Sequence, residues 1–80
     1  MDINIYVQLL DEGTKVYRPV PAMEVAKSIY KIKGSEIYDP ENEIWEFTPN
    51  TFVRVEEQNL EGEKVLVAIK EVSYPNEAVK

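Results

Sequence analysis

Apolar side chains recur on every second residue of this chain, and that period of two decides most of what it can fold into. Ile3, Ile5, Val7 and Leu9 occupy one parity of the first segment, with Asn4, Tyr6 and Gln8 on the other. A strand with one buried face has this pattern, because successive side chains leave a strand on opposite sides. Asp11-Glu12-Gly13-Thr14 then reads as a turn: Asp accepts local backbone hydrogen bonds and Gly allows positive φ. Val16, Arg18, Val20 and Ala22 resume the alternation, so the first two strands are expected to form a hairpin. Pro19 and Pro21 share a parity and have no N–H to give a ladder, so their nitrogens should face away from the sheet, which makes this segment an edge or its frayed end.

Further along, Ala22 to Lys27 is the one stretch where a short helical turn competes, since Ala, Met, Glu and Lys favour helix and Pro21 suits its first position. Ser28 to Lys33 reads as a third strand, Tyr30 and Ile32 inward and Lys31 and Lys33 outward, ended by Gly34-Ser35 and with Ile37-Tyr38 as a continuation of its hairpin. A polar loop, Asp39 to Glu43, precedes the alternating Trp45 and Phe47, and Pro49-Asn50 turns the chain into Phe52 to Glu56. Asn59 to Gly62 is another turn, and Val65 to Ile69 is the near-continuous apolar run of a strand buried on both sides. Phe47, Phe52 and Tyr30 are core by parity.

Five or six short strands with turns at roughly 8- to 12-residue spacing predict an all-β fold, a small antiparallel SH3-like barrel; an OB-like barrel, which needs a firm helix, ranks second. With 80 residues the chain is one unit, a barrel over 1–72 followed by a mobile tail over 73–80. No cofactor or metal is expected. The absence of Cys and His removes thiolate and imidazole chemistry and ordinary zinc sites. The acids at 39, 41 and 43 imitate a calcium loop, but Ile44 stands where its sharp turn needs Gly and Asn50 where a bidentate Glu should close it. Without histidine, a glycine-rich phosphate loop or an evident cleft for paired carboxylates, enzymatic activity is not expected. The start lacks a positive n-region and a long apolar run, so a cytoplasmic protein with no membrane partner is expected.

Charge is segregated. Residues 36–63 hold nine acids against Arg54 alone, whereas residues 15–33 carry Lys15, Arg18, Lys27, Lys31 and Lys33 against Glu24, within a net charge of -6. Such a field steers encounters, and a basic protein partner would suit the acidic half. Tyr17, Tyr38 and Trp45, rimmed by acids, form a candidate aromatic shelf of the kind that holds peptides, with Arg18 beside it. The alternative is a nucleic-acid-binding barrel using Lys15, Arg18, Lys31 and Lys33, which a pI near 4.6 opposes. Another reading makes the charges solvated strand faces and the aromatics covers over the barrel ends. Arg18 shares parity with Val16 and Val20, so it either points inward to a carboxylate such as Glu46 or Glu56, or marks the partner site.

The string Val7-Gln8-Leu9-Leu10-Asp11-Glu12-Gly13-Thr14, with Val16, Arg18-Pro19-Val20 and Ala22, resembles a group of small uncharacterised bacterial proteins with the pattern V-x-L-L-D-E-G-T-x-V-x-R-P-V-x-A. In that group a tyrosine follows, as Tyr30 does here, then W-x-F, like Trp45-Glu46-Phe47, then a valine strand like 52–56. The likeness spans residues 5 to about 70, with Pro49-Asn50 where the group favours Pro-Gly. It implies an SH3-type barrel and brings no activity with it. The expectation is a non-enzymatic protein-interaction module, monomeric or weakly dimeric, with Tyr17, Arg18, Tyr38 and Trp45 as its contact surface.

Overall fold

The computed structural model of the chain describes residues 2–74. Six strands make one sheet: β1 (Asp2–Leu10), β2 (Val16–Ala26), β3 (Ile29–Ile32), β4 (Ile44–Trp45), β5 (Phe52–Leu60) and β6 (Glu63–Glu71). Pairings run β2-β3-β5-β6-β1-β4, and β1 also pairs with β2, so five of the strands join into a barrel-like ring. Consecutive members of that ring run up and down. Five is odd, so the closing pair must be parallel, and β1 meets β6 in parallel through one bridge, Tyr6 with Val67. The other pairings are antiparallel, as the sequence predicts. No helix among the described residues is long and apolar enough to cross a membrane.

The alternation read in the first segment is the one that packs. Ile5, Val7 and Leu9 of β1 face Val20, Arg18 and Val16 of β2 inside the ring, where Ile5, Val7 and Val20 are fully buried. Ala22, Tyr30, Ile32, Val53, Val55, Ala68 and Trp45 complete one core. Burying large side chains of this kind is worth about 1.5–3 kcal/mol each, the main force available to so short a chain.

The two prolines sit where their chemistry allows. Pro21 O accepts from Lys33 N at 2.8 Å, so the polar groups of Pro21, and by parity those of Pro19, face away from β1. The β1–β2 ladder loses no donor to them. Between β5 and β6, Glu61 and Gly62 both have positive φ (51° and 87°), the backbone of a two-residue hairpin whose twist matches its strands. Asn59 Oδ1 accepts from Gly62 N at 3.1 Å and secures that turn.

Several expectations need correction. No helical turn forms over 22–27: β2 runs on to Ala26, because a ladder to β3 offers those backbone groups partners that one isolated turn cannot match. Ile37 and Tyr38 do not extend a hairpin; their N–H groups both fold back onto Gly34 O. Phe52 lies on the outer face, half-buried against Tyr74 at 5.4 Å between ring centroids, because Val53 and Val55 take the inward parity. Phe47 does pack against the core, as a partly buried member. Val65 to Ile69 is buried on both sides only at Val67 and Ala68. Register slips between Arg54 and Val55, so that Lys70 and Ala68 are paired and Ile69 is left out of the ladder, 39% exposed. Of the tail expected to be mobile, residues 75–80 lie outside the described residues, while Tyr74 Oη donates to Val25 O at 3.1 Å and ties the chain down there.

Candidate functional site

The four residues proposed as one contact surface divide between two places. Arg18 points inward opposite Val7, near one end of the core, as its parity requires. Its Nη1 donates to Glu43 Oε1 at 2.8 Å, and the guanidinium carbon lies 5.7 Å from the centre of the Trp45 ring. The indole N–H of Trp45 is directed at the same Glu43 oxygen, at 3.4 Å. Tyr38 meets Trp45 with ring centroids 4.8 Å apart and planes tilted by 56°, a favourable aromatic geometry. Tyr38, Trp45, Arg18 and Glu43 thus form one interlocked group.

Its position is dictated locally. Glu43 N donates to Asp39 O at 2.9 Å, closing the polar loop into a turn that delivers Glu43 and then Trp45, while Trp45 pairs with Leu9 in the short β4. Arg18 therefore does meet a carboxylate from inside the ring, but Glu43 takes the place foreseen for Glu46 or Glu56. Glu46 is exposed and its backbone N–H is spent on Gln8 O, and Glu56 pairs with Val67 on β6. Trp45 is 2% exposed, so it cannot be half of an open shelf. Arg18 Nε is buried without a partner, which fits a side chain positioned by packing on Trp45 as much as by hydrogen bonds.

Tyr17 belongs elsewhere. It faces out of the ring opposite Gln8, one residue out of phase with Arg18. There it lines a groove of about 560 Å³ with Tyr6, Lys15 and Val16 from the first hairpin and Asn59, Leu60, Glu61, Glu63 and Val65 from the β5–β6 hairpin. Tyr6, Tyr17, Leu60 and Val65 supply its apolar surface, Lys15 a cation and Glu61 and Glu63 two carboxylates. Pockets that hold ligands occupy roughly 300–1,000 Å³ and mix an apolar lining with a few polar groups.

Sequence reasoning found Tyr17 and missed the rest of this groove. One signal was there to be read: once the Asp11–Thr14 turn sets the register, the outward residues Tyr6 and Gln8 fall opposite Pro19 and Tyr17. Nothing local announces that the second hairpin supplies the other wall.

The cations of the first half are dispersed. Arg18 is engaged by Glu43, Lys31 lies 5.8 Å over the Phe52 ring on the outer face, and Lys15 is in the groove. Among the described residues no three carboxylates converge as a metal site would require, and no charged residue is buried. Tyr30 has its phenol pushed above the ordinary 10.0 by burial and, secondarily, by the charge of Glu24.

Compared with protein-family models, with curated proteins and with solved structures, the chain matches none.

Proposed function

We propose that this chain is a non-enzymatic module that acts by binding another protein, and that its contact surface is the groove between the β1–β2 and β5–β6 hairpins. One observation carries the reading: two tyrosines and three aliphatic residues line an open concave surface, rimmed by charges of both signs. Tyrosine suits contact surfaces because it offers a large apolar body with a polar tip at small entropic cost. The group around Trp45 is given a structural role instead, since its aromatic faces are used within the fold.

Catalysis is less well supported, because a general acid or base is tuned by burial or by a close charged neighbour, and Glu61 and Glu63 stand exposed on a rim. Nucleic-acid binding is also less well supported, because affinity for phosphates needs cations arrayed together. Arg18 is used internally and Lys31 sits on a different face from Lys15.

The test compares the wild type with a Tyr6→Ser, Tyr17→Ser double variant and, as control, Arg54→Gln on the exposed outer face of β5. A protein retained by the wild type and by Arg54→Gln but lost by the double variant, with unchanged unfolding curves, is the expected result. Equal retention by all three sinks the groove as the contact surface.

A further inference from the structure

The β5–β6 hairpin leaves the ring with its outer edges open. β5 is paired to β3 only over Phe52 to Arg54, and β6 is paired to β1 only at Val67, although each strand is nine residues long. Among the described residues, no strand pairs with the outer edge of β6 from Glu63 to Leu66. Unpaired edges present a row of N–H and C=O groups ready to accept a further strand. Glu63 and Val65 of that same segment share a parity and both line the groove.

The open edge and the groove are therefore one surface. We infer that the groove takes an extended basic polypeptide segment, which docks by adding as a strand to the outer edge of β6 and sets alternate side chains against Tyr6, Tyr17 and Leu60. The inference rests on the groove being a protein-contact surface and specifies its partner. Strand addition of this kind takes affinity from the backbone ladder and specificity from alternate side chains.

Charge fixes the choice of occupant. On the outer part of the hairpin, residues 55 to 67, Glu56, Glu57, Glu61 and Glu63 stand against Lys64 alone, and Lys15 on the opposite wall is outnumbered by Glu61 and Glu63. A second copy of the chain would bring two such hairpins together within two molecules each carrying -6, and like charges across a strand pair are unfavourable. A segment that alternates lysine or arginine with aliphatic residues meets both demands: cations toward the carboxylates, apolar side chains toward the tyrosines. The same acids that repel another copy attract this partner.

Blocked octapeptides alternating lysine with valine, and glutamate with valine, provide the test, read by amide chemical shifts of the labelled full chain. The Lys-Val peptide is expected to shift amides of Glu63 to Leu66 and Tyr17. The Glu-Val peptide should bind at least about tenfold more weakly, and Glu61→Lys, Glu63→Lys should reverse that order. Methylating the peptide nitrogens of all lysines blocks one edge of the added strand, and methylating those of all valines blocks the other. One set should lose about tenfold or more while the other stays within about twofold, since only one edge of the peptide forms the ladder. If both methylated sets bind like the parent, strand addition is overturned while the groove remains a contact surface. If the Glu-Val peptide binds as tightly as Lys-Val, the basic occupant is overturned. If neither peptide shifts any groove residue, the contact surface itself is overturned.

Discussion

Glu43 serves two donors with one oxygen, the Arg18 guanidinium and the Trp45 indole, and this makes it the residue on which that end of the core depends most. Both members of the ion pair are part-exposed, with side chains 35% and 27% accessible, so screening by solvent reduces its Coulombic worth. Losing a charged hydrogen bond still leaves Arg18 Nη1 without its partner beside an Nε that already lacks one. Glu43→Ala is expected to cost about 1–2 kcal/mol, read as a lowered urea midpoint at unchanged slope. A midpoint within error of the wild type would show the pair to be idle. Because Trp45 is the sole tryptophan and 2% exposed, native fluorescence should be blue-shifted and resist quenching by acrylamide, both features vanishing on unfolding. Tyr30 supplies a pH dependence. Its folded pKa lies above 10.0, so the neutral phenol favours the native state; that stability is whole below pH 10 and drains away as pH rises from there through the folded value. Urea midpoints measured between pH 8 and 12 should fall at the alkaline end, and Tyr30→Phe should flatten the fall. Much of this was out of reach of the sequence. The parity of Arg18 pointed it inward, but Glu43 lies 25 residues away, and its position depends on a loop closed by main-chain bonds to Asp39 O.

At the level of elements, the turns were the most legible part, since each depends on chemistry a few residues wide. Pro19 and Pro21 were read as marking an edge, and that holds on one side only: β2 is paired to β1 from Val16 to Met23, while on the other side β3 joins it from Ala22, with Lys33 N donating to Pro21 O. Phe52 was misread because 52, 53 and 55 are all apolar and both parities were therefore open. Two valines settled the question against one larger ring. The apolar run at 65–69 was misread at its end: Val67 and Ala68 are buried on opposite faces, but the ladder slips at Ile69 and leaves it exposed. The Glu61-Gly62 turn carries a further consequence. Glutamate at a φ of 51° is strained, and asparagine tolerates that region better. Glu61→Asn is expected to raise stability by about 0.5–1 kcal/mol by urea melt. The same change removes one carboxylate from the groove rim, so it should weaken binding of the lysine-valine peptide. A variant neither steadier nor weaker in binding would contradict both roles.

The molecule as a whole is held shut at its weakest place by Tyr6 and Val67. Val67 is 2% exposed, and Val67→Ala should cost about 2 kcal/mol. Native-state hydrogen exchange would locate the effect: amides of 63–67 are expected to lose protection before those of the β1–β2 hairpin, where eight paired positions hold the strands together. Uniform loss along the chain would mean that closure is not a separate event. An all-β ring was legible from strand count and spacing, whereas the groove, built from two hairpins remote in sequence, was not. The closing bridge also reveals how steeply the strands climb. Asp2 is level with Met23, Lys31 and Phe52, and Phe52 O receives Val72 N; yet straight across the joint it is Tyr6 that meets Val67, so a circuit of the wall ends most of a strand's length above its start. With only five strands around it, the ring still encloses a slender interior. Aliphatic and aromatic side chains already plug it, so among the described residues it is the exterior of the ring that is free to receive another molecule.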